Sequence, residues 1–138
     1  AILGILVFAS VSAVALPMGL AYLLHMADST IMAFATRAVT TPIAINIAML
    51  LHAPINMVIL IVILSGVIGA AFSPLILRHI NDERASGLAL GLAAHAIGTA
   101  QAWQRGSVAG RYAAFGMAVN ATFTAIWLPA FIRLLKNI

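Results

Sequence analysis

From Ala1 to Leu24 the chain carries no charged side chain, and Met57 to Leu77 forms a second such run. Each is long enough to span the roughly 30 Å hydrocarbon core of a bilayer, which takes about 20 helical residues. Runs of this kind have no polar face to turn toward water, so the fold has to be built against lipid. Composition agrees. Hydrophobic residues fill 64% of the 138 positions and charged residues 7%, where a soluble domain carries roughly 25% charged residues to hydrate its surface. No stretch shows the period-two alternation of a membrane barrel. The expected fold is an all-α integral membrane protein, a multi-span helical bundle, with residues 1–138 forming a single transmembrane domain.

The same composition narrows function. Seven Lys and Arg stand against three acids, a net charge of +4. In a membrane chain this excess anchors loops on one side. No basic run supports nucleic-acid binding. Without cysteine there is no disulfide, thiolate nucleophile or Cys-ligated metal. Ala1 opens straight into an apolar run with neither an initiator Met nor a basic n-region, so no signal peptide is expected and the chain reads as a fragment of a longer protein.

Two shorter apolar segments, Met32 to Leu51 and Ala85 to Trp103, are interrupted. Residues 37–44 of the first read Arg-Ala-Val-Thr-Thr-Pro-Ile-Ala, and residues 95–102 of the second read His-Ala-Ile-Gly-Thr-Ala-Gln-Ala, 58 positions later. Each sets one basic side chain and a Thr beside a helix breaker. In both halves a clean span precedes the interrupted segment, which points to an internal duplication. A matched pair of breaks and ionisable groups at membrane depth marks an expected binding site.

The chemistry of the first break is specific. Thr41 is placed to cap a helix that Pro42 begins, so a helix arriving from Met32 should stop near Val39 or Thr40. The new N-terminus offers free N–H groups and the positive end of a dipole. Arg37 adds a fork suited to a carboxylate, and Thr40 and Thr41 add hydroxyls. In the second break, Gly98 is expected to end a helix in a left-handed conformation and Thr99 to cap the next. His95 supplies an imidazole that donates hydrogen bonds or carries a proton. Together these suit a small anion with a keto or hydroxyl oxygen. The alternatives are plain: Arg37 snorkelling to an interface, and His95 making an interhelical contact. Asn46, one turn beyond Pro42, either faces the site or bridges helices.

Other residues read as structure. Gly87 and Gly91 form a small-xxx-small packing pattern. Asp28 or Ser29 is placed to cap one helix and Asp82 another. Residues 104–111 read as a loop before a last span from Tyr112 to Ile132. Trp103 and Trp127 read as interfacial anchors, and Asn120, though it opens a sequon, lies inside an apolar span. His25, His52 and His79 fall near segment ends, without the spacing of metal ligands, and no cofactor is expected. Asp28, Asp82 and Glu83 all fall in predicted loops, which disfavours a cation exchanger. An enzyme is not expected either, because no Ser-His-Asp arrangement is present.

Charge does not settle whether the interrupted segments cross or re-enter. If 85–103 crosses, Arg78, Arg84, Arg133 and Lys136 share a side against Arg105 and Arg111. If it re-enters, Arg78, Arg84, Arg105 and Arg111 share a side against Arg133 and Lys136. The positive-inside rule accepts both. Re-entry would make the two units inverted repeats.

The stretch from Arg37 to Ala44, followed by that from Gly87 to Ala100, resembles the LrgB/CidB family of membrane proteins. Members show Lys-Ser-Val-Thr-Thr-Pro-Ile-Ala and then Ala/Ser-His-Ala-Ile/Leu-Gly-Thr-Ala in this order. Arg37 stands where the family has Lys, and Ala38 where it has Ser. Residues 65–69 and Gly110 also fit, and the resemblance covers most of the chain. Members usually carry a further hydrophobic N-terminal portion. The resemblance implies two activities: modulation of murein hydrolase export and autolysis beside a small holin-like LrgA/CidA partner, or movement of pyruvate, glycolate or glycerate. On the second, Arg37 would engage the carboxylate, Thr40, Thr41 and Thr99 the other substrate oxygens, and His95 substrate or a proton. It places the chain in a bacterial inner membrane, or in a plastid envelope in a plant, among lipids, with self-association left open.

Overall fold

The computed structural model describes residues 2–136. Among these there are six helices and no strand: α1 (Ile2–Leu23), α2 (Asp28–Ala35), α3 (Thr41–Leu51), α4 (Ile55–Ile76), α5 (Glu83–Arg105) and α6 (Ser107–Lys136). Helices α1, α4 and α6 are long and apolar enough to cross a membrane. The first two coincide with the charge-free runs. The loop expected over 104–111 shrinks to Gly106, and α6 starts at Ser107. There the Arg111 Nε donates to the Ser107 carbonyl one turn back, at 3.2 Å, so a polar stretch that reads as loop is a helical first turn.

Asp82 caps α5 as expected, its carboxylate accepting from the Arg84 N–H at 2.9 Å. Helix α2 differs. Its cap position is Ala27, with no side-chain bond, and Asp28 occupies the first turn instead, where its charge still favours the positive end of the dipole.

Helix α5 is two helices folded on each other. Its backbone breaks at His95, with φ 42° and ψ −122°. Along the first half, Gly87 lies against Ala109 and Gly91 against Ala113, so that half runs parallel to α6. Along the second half, Thr99 meets Met117 and Trp103 meets Gly110, which is antiparallel. The two ends also meet: a side chain placed at Gly106 would lie 3.1 Å from the Glu83 carboxylate. In a straight helix of this length those residues would stand about 34 Å apart. The segment therefore re-enters.

The direction of the remaining helices fixes the other interrupted segment. Ile2 borders a groove with Arg111, Tyr112 and Phe115; Leu3, Leu6 and Val7 border one with Val119, Asn120 and Phe123; Ser10 reaches Thr124 and Trp127. Helix α1 is thus parallel to α6. Helix α4 is antiparallel to the first half of α5, since Gly69 meets Ala93 and Ala94 while Ser73 and Leu77 share a groove with Ala89 and Leu90. It follows that α1 and α4 run in opposite directions. The end of α1 and the start of α4 then lie at one end of the bundle, and residues 25–54 enter and leave there. Two units of span plus re-entrant hairpin are related by inversion, with α6 packed beside both.

Packing in lipid has no hydrophobic drive between helices, so close approach through small residues and interhelical hydrogen bonds carries it. The main buried cluster is rich in small side chains, among them Ala33, Ala35, Ala44, Ala48 and Ala121, with Ile47, Val58 and Leu128 filling between them. Gly87 and Gly91 let the α6 backbone approach so closely that a Cβ at either would overlap it. Between α1 and α6, Ser10 and Thr124 share a buried hydrogen bond of 2.8 Å, and the Trp127 indole donates to Ser10 at 3.4 Å. Trp127 is thus half-buried and bonded into the bundle, while Trp103 is exposed.

Re-entry has a direct test, because the chain has no cysteine of its own. Paired substitutions Glu83→Cys and Gly106→Cys should cross-link within one chain under mild oxidation. An uncut, unlinked monomer on denaturing gels would mean that α5 crosses.

Candidate functional site

The two hairpin tips meet. Helix α2 stops at Ala35, short of the Val39 or Thr40 expected, with Thr36 at its end. The Thr36 hydroxyl donates to the Ala33 carbonyl at 2.9 Å, which closes the last turn. Residues 36–40 then run as turns to Thr40, extended at φ −67° and ψ 148°. Thr40, rather than Thr41, is the cap position of α3; Thr41 is its first residue and Pro42 its second, and no hydroxyl makes a cap bond.

A broken helix at membrane depth frees carbonyls that lipid cannot satisfy. Here other helices take them up. The Arg37 carbonyl accepts from His95 Nε2 at 2.8 Å and from the Ser65 hydroxyl at 3.1 Å. The Ala38 carbonyl accepts from Asn120 Nδ2 at 2.6 Å. His95 and Arg37 are the first residues of the two repeated motifs, so the duplication brings equivalent positions into contact. Ser65, His95 and Asn120 each lie near the middle of their helices, which puts the contact at mid-height.

The second tip turns at His95, not at Gly98, and no glycine among the described residues lies in the left-handed region. The His95 backbone has the geometry of the first central residue of a type II′ turn, a place normally taken by glycine. Holding another residue there costs roughly 1–3 kcal/mol. Gly98 serves a different need. It lies against the Leu90 carbonyl and Ala94, where any Cβ would overlap, so its absence of side chain lets the hairpin close. Thr99 does not cap; its hydroxyl donates to the Met117 sulfur at 3.7 Å.

The geometry predicts an inverted propensity at position 95. In a regular helix Ala is more stable than Gly by about 1 kcal/mol. Here His95→Gly should be the more stable of the two, by about 1 kcal/mol or more, because both lose the bond and only Gly loses the strain. Thermal midpoints in detergent read this directly, and an Ala variant above the Gly variant would contradict the turn.

The expected site residues divide accordingly. Arg37 and His95 are joined, and Thr40 and Thr41 lie half-buried next to them. The Arg37 side chain is half-buried, and among the described residues it has neither an acid partner nor a hydrogen bond. Pro42 and Asn46 are exposed, with Asn46 donating to the Pro42 carbonyl at 2.9 Å, so this amide serves its own helix. Gly98 and Thr99 are buried in hairpin packing.

Two residues of the site had no assigned role in the sequence. Ser65 and Asn120 each carry a polar group in the middle of an otherwise apolar span, a signal that at this depth points to a partner. Asn120 keeps its Oδ1 buried and unpaired, beside a cavity of about 70 Å³. No cluster of three metal-ligating side chains occurs among the described residues.

Comparison with known proteins gives the family. The LrgB-like family model matches residues 1–134. The chain is 32% identical over 108 residues to YwbG of Bacillus subtilis, covering 77% of this chain and 48% of that one. It is 30% identical over 100 residues to the holin-like protein CidB of Staphylococcus aureus, covering 71% and 44%. YxaC of Bacillus subtilis is 33% identical over 95 residues, covering 67% and 41%. The chain thus spans a little under half the length of these relatives. No solved structure matches it. On the match to residues 1–134 and these relatives, the chain is a membrane protein belonging to the LrgB-like family.

Proposed function

We propose that the chain forms the substrate-handling part of a carrier for small monocarboxylates of the pyruvate, glycolate or glycerate type. One observation carries this reading: two helix breaks, one from each inverted unit, meet at mid-height beside a half-buried arginine with no ion-pair or hydrogen-bond partner among the described residues. Inverted units that meet at broken helices are the common plan of secondary transporters. A carboxylate there would take the Arg37 fork and the free N–H groups that begin α3. Thr40 and Thr41 would serve a keto or hydroxyl oxygen. His95, bonded to the opposite tip, would have to let go when the units rock, coupling substrate or a proton to the motion. Arg78, Arg84, Arg105 and Arg111 fall at one end and Arg133 and Lys136 at the other, so the positive-inside rule puts the first end in the cytoplasm of a multi-pass inner-membrane protein.

A second reading has its own support. The CidB relatives are named holin-like, and that name speaks for a modulator of murein hydrolase export and autolysis, working with a small membrane partner, more than for a carrier. Altered carboxylate flux would also change autolysis, which would link the two.

Proteoliposomes holding the full-length protein, given radiolabelled pyruvate or glycolate, separate them. The carrier reading expects saturable uptake competed by other small keto or hydroxy acids. Leakage of unrelated solutes supports a holin-like pore, and neither behaviour, with complex formation alone, supports a regulatory partner.

A further inference from the structure

We infer that the groove between the start of α1 and the first turns of α6 binds one anionic glycerophospholipid. Its headgroup sits on Arg111 and Tyr112, and an acyl chain runs along Ile2 and Phe115. The site lies on the lipid-facing surface, about 13 Å along α6 from Asn120, and does not depend on the carrier reading.

Ile2, Arg111, Tyr112 and Phe115 border a groove of about 330 Å³, within the roughly 300–1,000 Å³ of clefts that hold small ligands. Ile2 and Phe115 are each 47% exposed, so the bundle leaves both uncovered. Arg111 is exposed and Tyr112 half-buried. The Arg111 Nε donates to the Ser107 carbonyl at 3.2 Å, which turns the guanidinium back toward the start of α6 and so toward the membrane surface. Its Nη groups make no hydrogen bond or ion pair among the described residues. Phe115 lies one turn deeper, about 6 Å along the helix. Charge and a phenol at the interface, with hydrocarbon contacts below, is the order of groups along a phospholipid.

Charge selects the headgroup. Arg78, Arg84, Arg105 and Arg111 stand at this end against Asp82 and Glu83. Asp82 pairs with Arg84 at 3.8 Å, and Glu83, beside Gly106, pairs with no arginine among the described residues. The end is therefore net positive, which attracts an anionic headgroup and repels the amine of a zwitterionic one. Other surface grooves lack this chemistry. One of about 350 Å³ on the outer face of α6, at Ala118, Thr122 and Ile126, has no cation on its rim. The smaller one at Pro17, Leu20 and Phe34 has none either. Those two suit any acyl chain. The groove at Arg111 adds a guanidinium fork and a phenol for a phosphate.

Native mass spectrometry of the full-length protein, titrated with phosphatidylglycerol or phosphatidylcholine of matched chains, tests this. The parent should retain one phosphatidylglycerol about fivefold more tightly than phosphatidylcholine, the effect of one basic residue at an anionic membrane surface. Arg111→Gln should erase the preference and Arg111→Lys should keep most of it, while Arg133→Gln at the other end should leave it unchanged. Glycerol phosphate should not displace the lipid, because it brings no hydrocarbon. In phosphatidylglycerol vesicles, a photoreactive side chain in place of Phe115 should cross-link to an acyl chain. A parent without the preference would overturn the site, as would a preference that survives Arg111→Gln in a variant eluting like the parent. Displacement by glycerol phosphate would make it a site for a free anion instead. Cross-linking of position 115 to another part of the chain, or to a second copy, would show that protein covers the groove. Where Arg111→Gln aggregates, the cross-link decides.

Discussion

On the carrier reading, Arg37→Ala should cut kcat/KM for uptake by about 10- to 100-fold, the equivalent of one or two charge-assisted hydrogen bonds, while leaving the fold intact. The structure separates these two effects. What holds the first hairpin tip is the Arg37 carbonyl, gripped by His95 and Ser65, and Ala keeps that carbonyl. The guanidinium holds nothing in the bundle, since among the described residues it has neither ion pair nor hydrogen bond. Arg37→Lys keeps the charge but loses the fork, so it should raise KM more than it lowers the maximal rate. Size-exclusion profiles should match the parent for both. A variant that transports normally would remove Arg37 from the carrier and turn attention to the holin-like reading. A variant that aggregates would mean that the side chain braces the tip.

Much of this fold is legible in the sequence, for a physical reason. Lipid leaves few options, so charge-free runs of sufficient length became α1 and α4 with little change in their ends. The breaks were legible too, because Pro42 and a polar group at membrane depth both cost free energy. Re-entry was not. The arginines divide evenly enough that crossing and re-entry satisfy the same rule, and only packing direction distinguishes them. The turning residue was also hidden. Gly98 carries the usual signal for a left-handed turn, but tertiary packing spends that glycine on closing the hairpin and puts the strain on His95. Asn120 was concealed by a sequon that means nothing inside an apolar helix. Its part is set by the freed carbonyl of Ala38, a contact between residues far apart in the chain.

Gly91→Leu should abolish folding, with loss of the monodisperse peak in detergent. The first half of α5 and α6 approach so closely that a Cβ at Gly91 would overlap the Ala113 backbone, and Gly87 repeats the contact one turn away on Ala109. Neither partner is a flexible side-chain end that can swing aside. The helices would have to part, and in lipid no hydrophobic term resists their parting. Dispersion between closely packed backbones is what keeps them together, and it falls off steeply with small gaps. The second half of α5 would then lose its seat between Leu90 and α6, and with it His95 would leave the Arg37 carbonyl. Gly19→Ala is the control. Nothing lies within 4 Å of a Cβ at Gly19, so helix propensity alone should act there and raise stability by up to about 1 kcal/mol. If Gly91→Leu instead folds and survives heating like the parent, the first half of α5 does not pack on α6 as described. The inverted arrangement of the two units, and the mid-height meeting of their tips, would fall with it.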